Sequence, residues 1–134
     1  MLLVLVSAAV AAPSVNRARV QPFPGALINA RYVYVTSFDG DQFNANLLPD
    51  DRAAIAVVQD ELQKWGRYVI VYRPEDADMT VMVQSRPTED VVAVYDAHVP
   101  GESYLWRAMG RNGLQKGETP LLTELHDAVD KASK

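Results

Sequence analysis

The 134-residue sequence contains no cysteine, only two histidines and no concentrated block of positive charge. Without cysteine there can be no disulfide, thiolate metal ligand, cysteine nucleophile or lipid-modified amino-terminal cysteine. His98 and His126 stand far apart with no H-x-x-x-H spacing, too few ligands for a histidine-based zinc centre. Thirteen Lys and Arg against 17 Asp and Glu leave a formal charge of −4, so the basic stripe that nucleic acid requires is missing. There is no G-x-S-x-G nucleophile elbow and no phosphate-cradling glycine run; Gly110-Arg111-Asn112-Gly113 supplies only two glycines. What is present, 49% apolar and 22% charged residues, is ordinary for one globular domain and argues against disorder.

Residues Leu2 to Ala12 form an uncharged apolar run that ends in small residues, with Ala9-Val10-Ala11 as an A-x-A cleavage pattern before Pro13. The run is shorter than the roughly 20 residues of a membrane span. Although no Lys or Arg precedes Arg17, the pattern predicts a signal peptide over 1–11 and an exported mature chain, periplasmic or extracellular, with no integral membrane span. Residues 12–29, rich in Pro, Asn, Arg and Gln and lacking periodicity, read as a flexible tether to a single domain over 30–134.

Within that domain, Arg31 to Ser37 is rich in β-branched and aromatic residues and predicts a first strand. After Pro49, Ile55, Val58, Leu62 and Trp65 recur at helical spacing, and Gly66 suits the left-handed position that ends a helix. Tyr68 to Tyr72 is apolar throughout, which predicts a strand covered on both faces at the sheet centre. Met79, Val81 and Val83 alternate on a further strand, and the short turn before them predicts an antiparallel pair with Tyr68–Tyr72. Val91 to Ala97 and Ser103 to Met109 complete the strands; Thr119 can cap, and Pro120 open, a last helix carrying Leu121, Leu125, Ala128 and Ala132. The fold class is therefore α+β: a mixed four- to five-stranded sheet with two helices packed on it, in the order β-α-β-β-β-β-α.

Three constellations carry potential chemistry. In the loop after the first strand, Asp39, Asp41 and Asn44 place oxygen donors that can surround a hard cation. An EF-hand pattern fails there, because Phe43 and Asn44 occupy the positions of a ligand and a glycine, and Asp and Asn equally serve as turn formers. Carboxylates at Asp76, Asp78 and Asp96 lie near strand ends; any one of them, brought to Asp39 and Asp41, would make a metal-assisted hydrolase. Asp96 near His98, with Ser37 or Ser103, is the only material for serine chemistry, and no supporting signature accompanies it. Tyr104, Trp106 and Arg107 form a candidate binding patch, and the tyrosines at 32, 34, 68, 72 and 95 could extend it into an aromatic platform if they share an exposed face. No residue is assigned a catalytic role and no cofactor is implied.

The strand Val33-Tyr34-Val35-Thr36-Ser37-Phe38, the helix end Leu62-Gln63-Lys64-Trp65-Gly66, the strand Tyr68-Val69-Ile70-Val71, the segment Ala77-Asp78-Met79-Thr80-Val81, and Tyr95-Asp96 followed by Leu105-Trp106-Arg107 are similar to small exported bacterial α/β domains. These occur in envelope lipoproteins and secretion accessories, such as those of curli and flagellar outer-membrane assembly, and in the amino-terminal domain of the Tol-system propeller protein. The resemblance spans about residues 30 to 130 and departs in lacking the lipid-modified cysteine. It implies a scaffold or assembly part more than an enzyme. The expectation is a non-catalytic binding or assembly module of the cell envelope, with an envelope protein or a second copy, paired through an edge strand, as partner; the metal-assisted hydrolase is the alternative.

Overall fold

A computed structural model describes residues 21–134; the expected signal peptide over 1–11 and the first part of the tether lie outside the described residues. The elements are β1 (Tyr32–Ser37), α1 (Pro49–Trp65), β2 (Val69–Val71), β3 (Met79–Ser85), β4 (Asp90–Asp96), β5 (Trp106–Gly110) and α2 (Pro120–Ala132). They form the expected mixed α+β domain: one five-stranded sheet in the order β2-β1-β3-β4-β5. β1 runs parallel to both β2 and β3, whereas β3, β4 and β5 form an antiparallel meander.

Side-chain alternation decides what the sheet can hold. Val35, Val81, Val94 and Trp106 stand in register across four strands, so they share a face. Against that face pack Ile55, Val58 and Leu62 of α1 and Leu121, Leu125 and Val129 of α2, all in one buried cluster. Each such side chain contributes about 1.5–3 kcal/mol on burial. Among the described residues no α-helix packs on the opposite face. There Thr36, Met82, Ala93 and Arg107 stand in register, and the small Ala93 is buried beneath its longer neighbours.

Three expectations are corrected. The apolar run Tyr68–Tyr72 is not the sheet centre but its edge: β2 has three residues, and Val69 and Tyr72 remain 39% and 48% exposed. Its apolarity has other causes, since Tyr68 meets Trp65 edge-on at 5.3 Å and Ile70 fills the core. The centre is β3, which alternates because helices cover only one of its faces. Second, β2 and β3 are not an antiparallel pair; they flank β1, and the chain crosses β1 through a 3-10 turn at Pro74–Asp76. That turn brings Glu75 close to Tyr34, on the helix-free face. Two right-handed crossovers running in opposite directions must occupy opposite faces, so α1 takes one and this turn the other.

Third, the tether expected over 12–29 is docked in its described part. Phe23 and Leu27 belong to the core, and Gln21 lies along the start of β5. The Gln21 side chain accepts from the Arg107 N–H at 3.0 Å and donates to the Leu105 carbonyl at 3.4 Å, as a neighbouring strand would. The Gln21 backbone carbonyl also accepts from the Trp106 indole at 2.9 Å.

Helix ends follow local rules with one exception. Gly66 closes α1 at φ 81°, and its N–H reaches the Gln63 carbonyl. Thr119 makes no capping bond; instead the Leu121 N–H donates to the Gly113 carbonyl at 3.3 Å, tying the first turn of α2 to the preceding loop. The contact is close enough that a Cβ on Gly113 would overlap Cγ and Cδ1 of Leu121. Gly113→Ala is therefore expected to lower stability by about 1–3 kcal/mol, read as a lower urea midpoint, through overpacking against α2.

Candidate functional site

The acidic loop is a brace. Asp39 accepts from Arg86 at 3.0 Å, while Asp41 accepts from the Tyr34 hydroxyl at 2.6 Å and from the Phe43 N–H at 2.9 Å. Asn44 donates to the Asp39 carbonyl and accepts from the Asn46 N–H. Burial, together with the bond to Asp41, pushes the Tyr34 phenol up to about 12. Arg52 and Gln59 then pin this loop to α1 through Gln42 and Asn44. The three expected metal donors thus turn their oxygens onto protein donors, and among the described residues no group of three His, Asp or Glu is placed to hold a metal ion.

The other carboxylates lie elsewhere. Asp78 accepts from the backbone N–H groups of Arg31 and Tyr32, both at 3.0 Å, at the start of β1, whereas Asp39 follows its end. Six residues of strand separate these ends, about 20 Å. Asp76 pairs with Arg73 at 3.5 Å, and Asp96 accepts from the His98 N–H at 2.9 Å. The His98 ring faces Asp78 at 3.3 Å, while Ser37 is buried at the far end of β1, donating to the Gly40 carbonyl. Asp39 and Asp41 therefore do not meet Asp78 or Asp96, and Ser37 does not meet His98.

The patch at Tyr104, Trp106 and Arg107 is split by the pleat. Register with Val94 turns Trp106 toward the helices, where it is only 1% exposed and belongs to the core, so it is unavailable to a ligand. Tyr104 remains 44% exposed, and the Arg107 guanidinium lies 5.7 Å from its ring centre. An extended aromatic platform is not assembled. Tyr34 and Tyr68 are buried, and Tyr32 on β1 lies three strand spacings from β5, about 14 Å.

Asp78, Asp96 and His98 line a hollow of ≈ 220 Å³ at the start of β1, and a larger concave feature lies on the helix side. A groove of ≈ 620 Å³ runs between α1, the end of β3 and the loop before α2, with Ala53, Val57 and Leu114 along it and Asp50, Asp60 and Lys116 at its rims. A smaller hollow of ≈ 140 Å³ lies between α1 and α2, where Trp65 stacks on His126 at 4.0 Å. Alanines on this flank of α1 leave the space unfilled. Two buried carboxylates hold the walls in place. Asp51, 0% exposed, accepts from the Ser85 N–H at 3.0 Å and from Arg86 at 2.8 Å, fastening α1 to the β3–β4 turn. Asp90, also buried, accepts from the Leu114 N–H at 2.9 Å and fastens the opposite wall to β4. Neither carboxylate has a local signature of burial, since Asp51 stands in the first turn of a helix and Asp90 beside a turn, where acids are ordinary. The available signal was Ala53, Val57 and Asp60 at three- and four-residue spacing on one flank of α1.

Arg86→Ala is expected to lower stability by about 2–3 kcal/mol in chemical denaturation, because it leaves the Asp51 carboxylate buried with only the Ser85 N–H. The figure sits below that for a fully buried pair because Arg86 is 31% exposed. Arg86→Lys recovers part of the loss, since one ammonium cannot repeat the two-pronged bridge to Asp51 and Asp39.

Asp78 yields a pH signature. The N–H groups of Tyr32 and Arg31, with a smaller contribution from His98, hold its carboxyl below the ordinary value of 3.8. A depressed carboxyl contributes stability above its unfolded pKa and loses it as pH falls through the folded one. The melting-temperature advantage of the native chain over Asp78→Asn is therefore expected to be full near pH 7 and to shrink as the pH falls below the ordinary value of 3.8.

Compared with protein-family models, curated proteins and solved structures, the chain matches none.

Proposed function

We propose that this chain is a non-catalytic binding or assembly module, exported to the bacterial cell envelope, and that it takes its partner in the groove beside α1. The observation that carries this reading is the groove itself, with an apolar strip of Ala53, Val57 and Leu114 between charged rims and each wall anchored by a buried carboxylate. Its ≈ 620 Å³ is within the range of about 300–1,000 Å³ usual for binding sites. The carboxylates and hydroxyl considered for hydrolytic chemistry are engaged in bracing loops and strand ends, which favours binding over catalysis. Export rests on the Leu2–Ala12 run and its A-x-A pattern. Among the described residues no helix is long and apolar enough to cross a membrane.

Pairing through an edge strand is the weaker reading, because Gln21 occupies backbone groups at the start of β5 and the other edge strand, β2, has only three residues. The test uses the full chain with a carboxy-terminal tag, carrying a photo-crosslinking residue at Ala53 in the groove or at Gln63 on the far flank of α1. The expected result is a periplasmic or secreted product shortened by the first 11 residues, with adducts from position 53 that Val57→Arg abolishes. A full-length product kept in the cytoplasm overturns export; equal adducts from positions 53 and 63 overturn the groove.

A further inference from the structure

Resting on the groove reading above, we infer that the occupant is a basic, amphipathic helical segment of a partner protein. The charge balance of the groove points there. Asp50 and Asp60 rim the larger hollow, and Glu61 and Asp127 rim the smaller one beside it. Facing them are Lys116 on the opposite wall and Lys64, which bridges Asp60 at 3.0 Å and Glu61 at 3.7 Å. Negative charge remains in excess, and among the described residues Asp50 makes no ion pair. The Lys64–Asp60 bridge is exposed at both ends, so a partner's cation can replace it readily.

The walls favour a helix over an extended peptide. They present side chains of α1 and of the 114–116 loop, with no free strand edge among the lining residues to which a peptide backbone could pair. A segment entering this apolar space must therefore satisfy its own backbone groups, as a helix does. The small side chains of Ala53 and Ala56 let a second helix approach α1 closely. Asp50 and Asp60, ten residues apart on α1, are separated by about 15 Å along its axis. Two basic residues ten positions apart on the incoming helix match that spacing, with an uncharged or acidic side toward Lys116.

The probe is a fluorescein-labelled 15-residue peptide, acetylated and amidated at its ends, with Leu and Ala on one face and Lys at two positions ten apart. A second peptide carries Glu at those positions. Fluorescence anisotropy with the full chain is expected to show the Lys peptide binding about tenfold more tightly than the Glu peptide, and more weakly as salt rises. The double variant Asp50→Asn, Asp60→Asn is expected to reduce Lys-peptide binding about fivefold to tenfold, and Val57→Arg to remove it. Both sets of changes lie at the groove surface, and circular dichroism verifies that each variant is folded. Equal binding of both peptides, still blocked by Val57→Arg, overturns the basic-helix assignment and leaves the groove reading intact. Binding of neither peptide also overturns the assignment; the groove reading is then decided by the Ala53 adducts, which do not depend on the charge of the occupant.

Discussion

Arg86 joins three parts of the chain that are distant in sequence: Asp51 in the first turn of α1, Asp39 after β1, and the turn that follows β3. A buried carboxylate is tolerable only where its charge is met, and Asp51 is met by the Ser85 N–H and by one arm of this guanidinium. The second arm reaches Asp39, which keeps the loop after β1 folded beside α1. The planar fork suits this double duty. Through it the position of α1 over β1 and β3 is set at its amino-terminal end, while Trp65 against Tyr68 and His126 sets the other end.

A sheet with both helices on one face creates two unlike surfaces. On the helix side, the core tolerates little change, but α1 and the loop before α2 diverge enough to leave a groove. On the other side, long side chains such as Met82 and Arg107 lie over small ones such as Ala93, so the face shields itself without a third layer. The short crossover at Pro74–Asp76 covers part of that face beside Tyr34. The start of the β5 edge is covered by other means, with one glutamine side chain standing in for strand backbone.

Much of the secondary structure was legible in the residues because it depends on local chemistry. Pro49 and Gly66 bracket α1, Pro120 opens α2, and the alternation of Met79, Val81 and Val83 marks β3 and its buried face. Trp106 was misjudged for the same reason that β2 was placed at the centre of the sheet. An apolar or aromatic residue states a tendency to be buried, but which face it turns to, and how many strands flank it, is settled by register with residues far away in the chain. The acidic loop was ambiguous because Asp and Asn bind cations and stabilise turns with the same oxygens. Arg86 and Tyr34 resolved it, and neither is adjacent to the loop in sequence.

The sequence by itself determined an α+β fold, the order of its elements, both ends of α1 and the start of α2. All of these follow from composition, periodicity and the backbone limits of proline and glycine. Only the tertiary structure decided strand order, the inward turn of Trp106, the separation of the carboxylates to opposite ends of the sheet, and the groove between α1 and the loop at Leu114. A groove has no local signature, because it is a space left between elements, and its shape depends on how Asp51 and Asp90 tie its walls to distant strands.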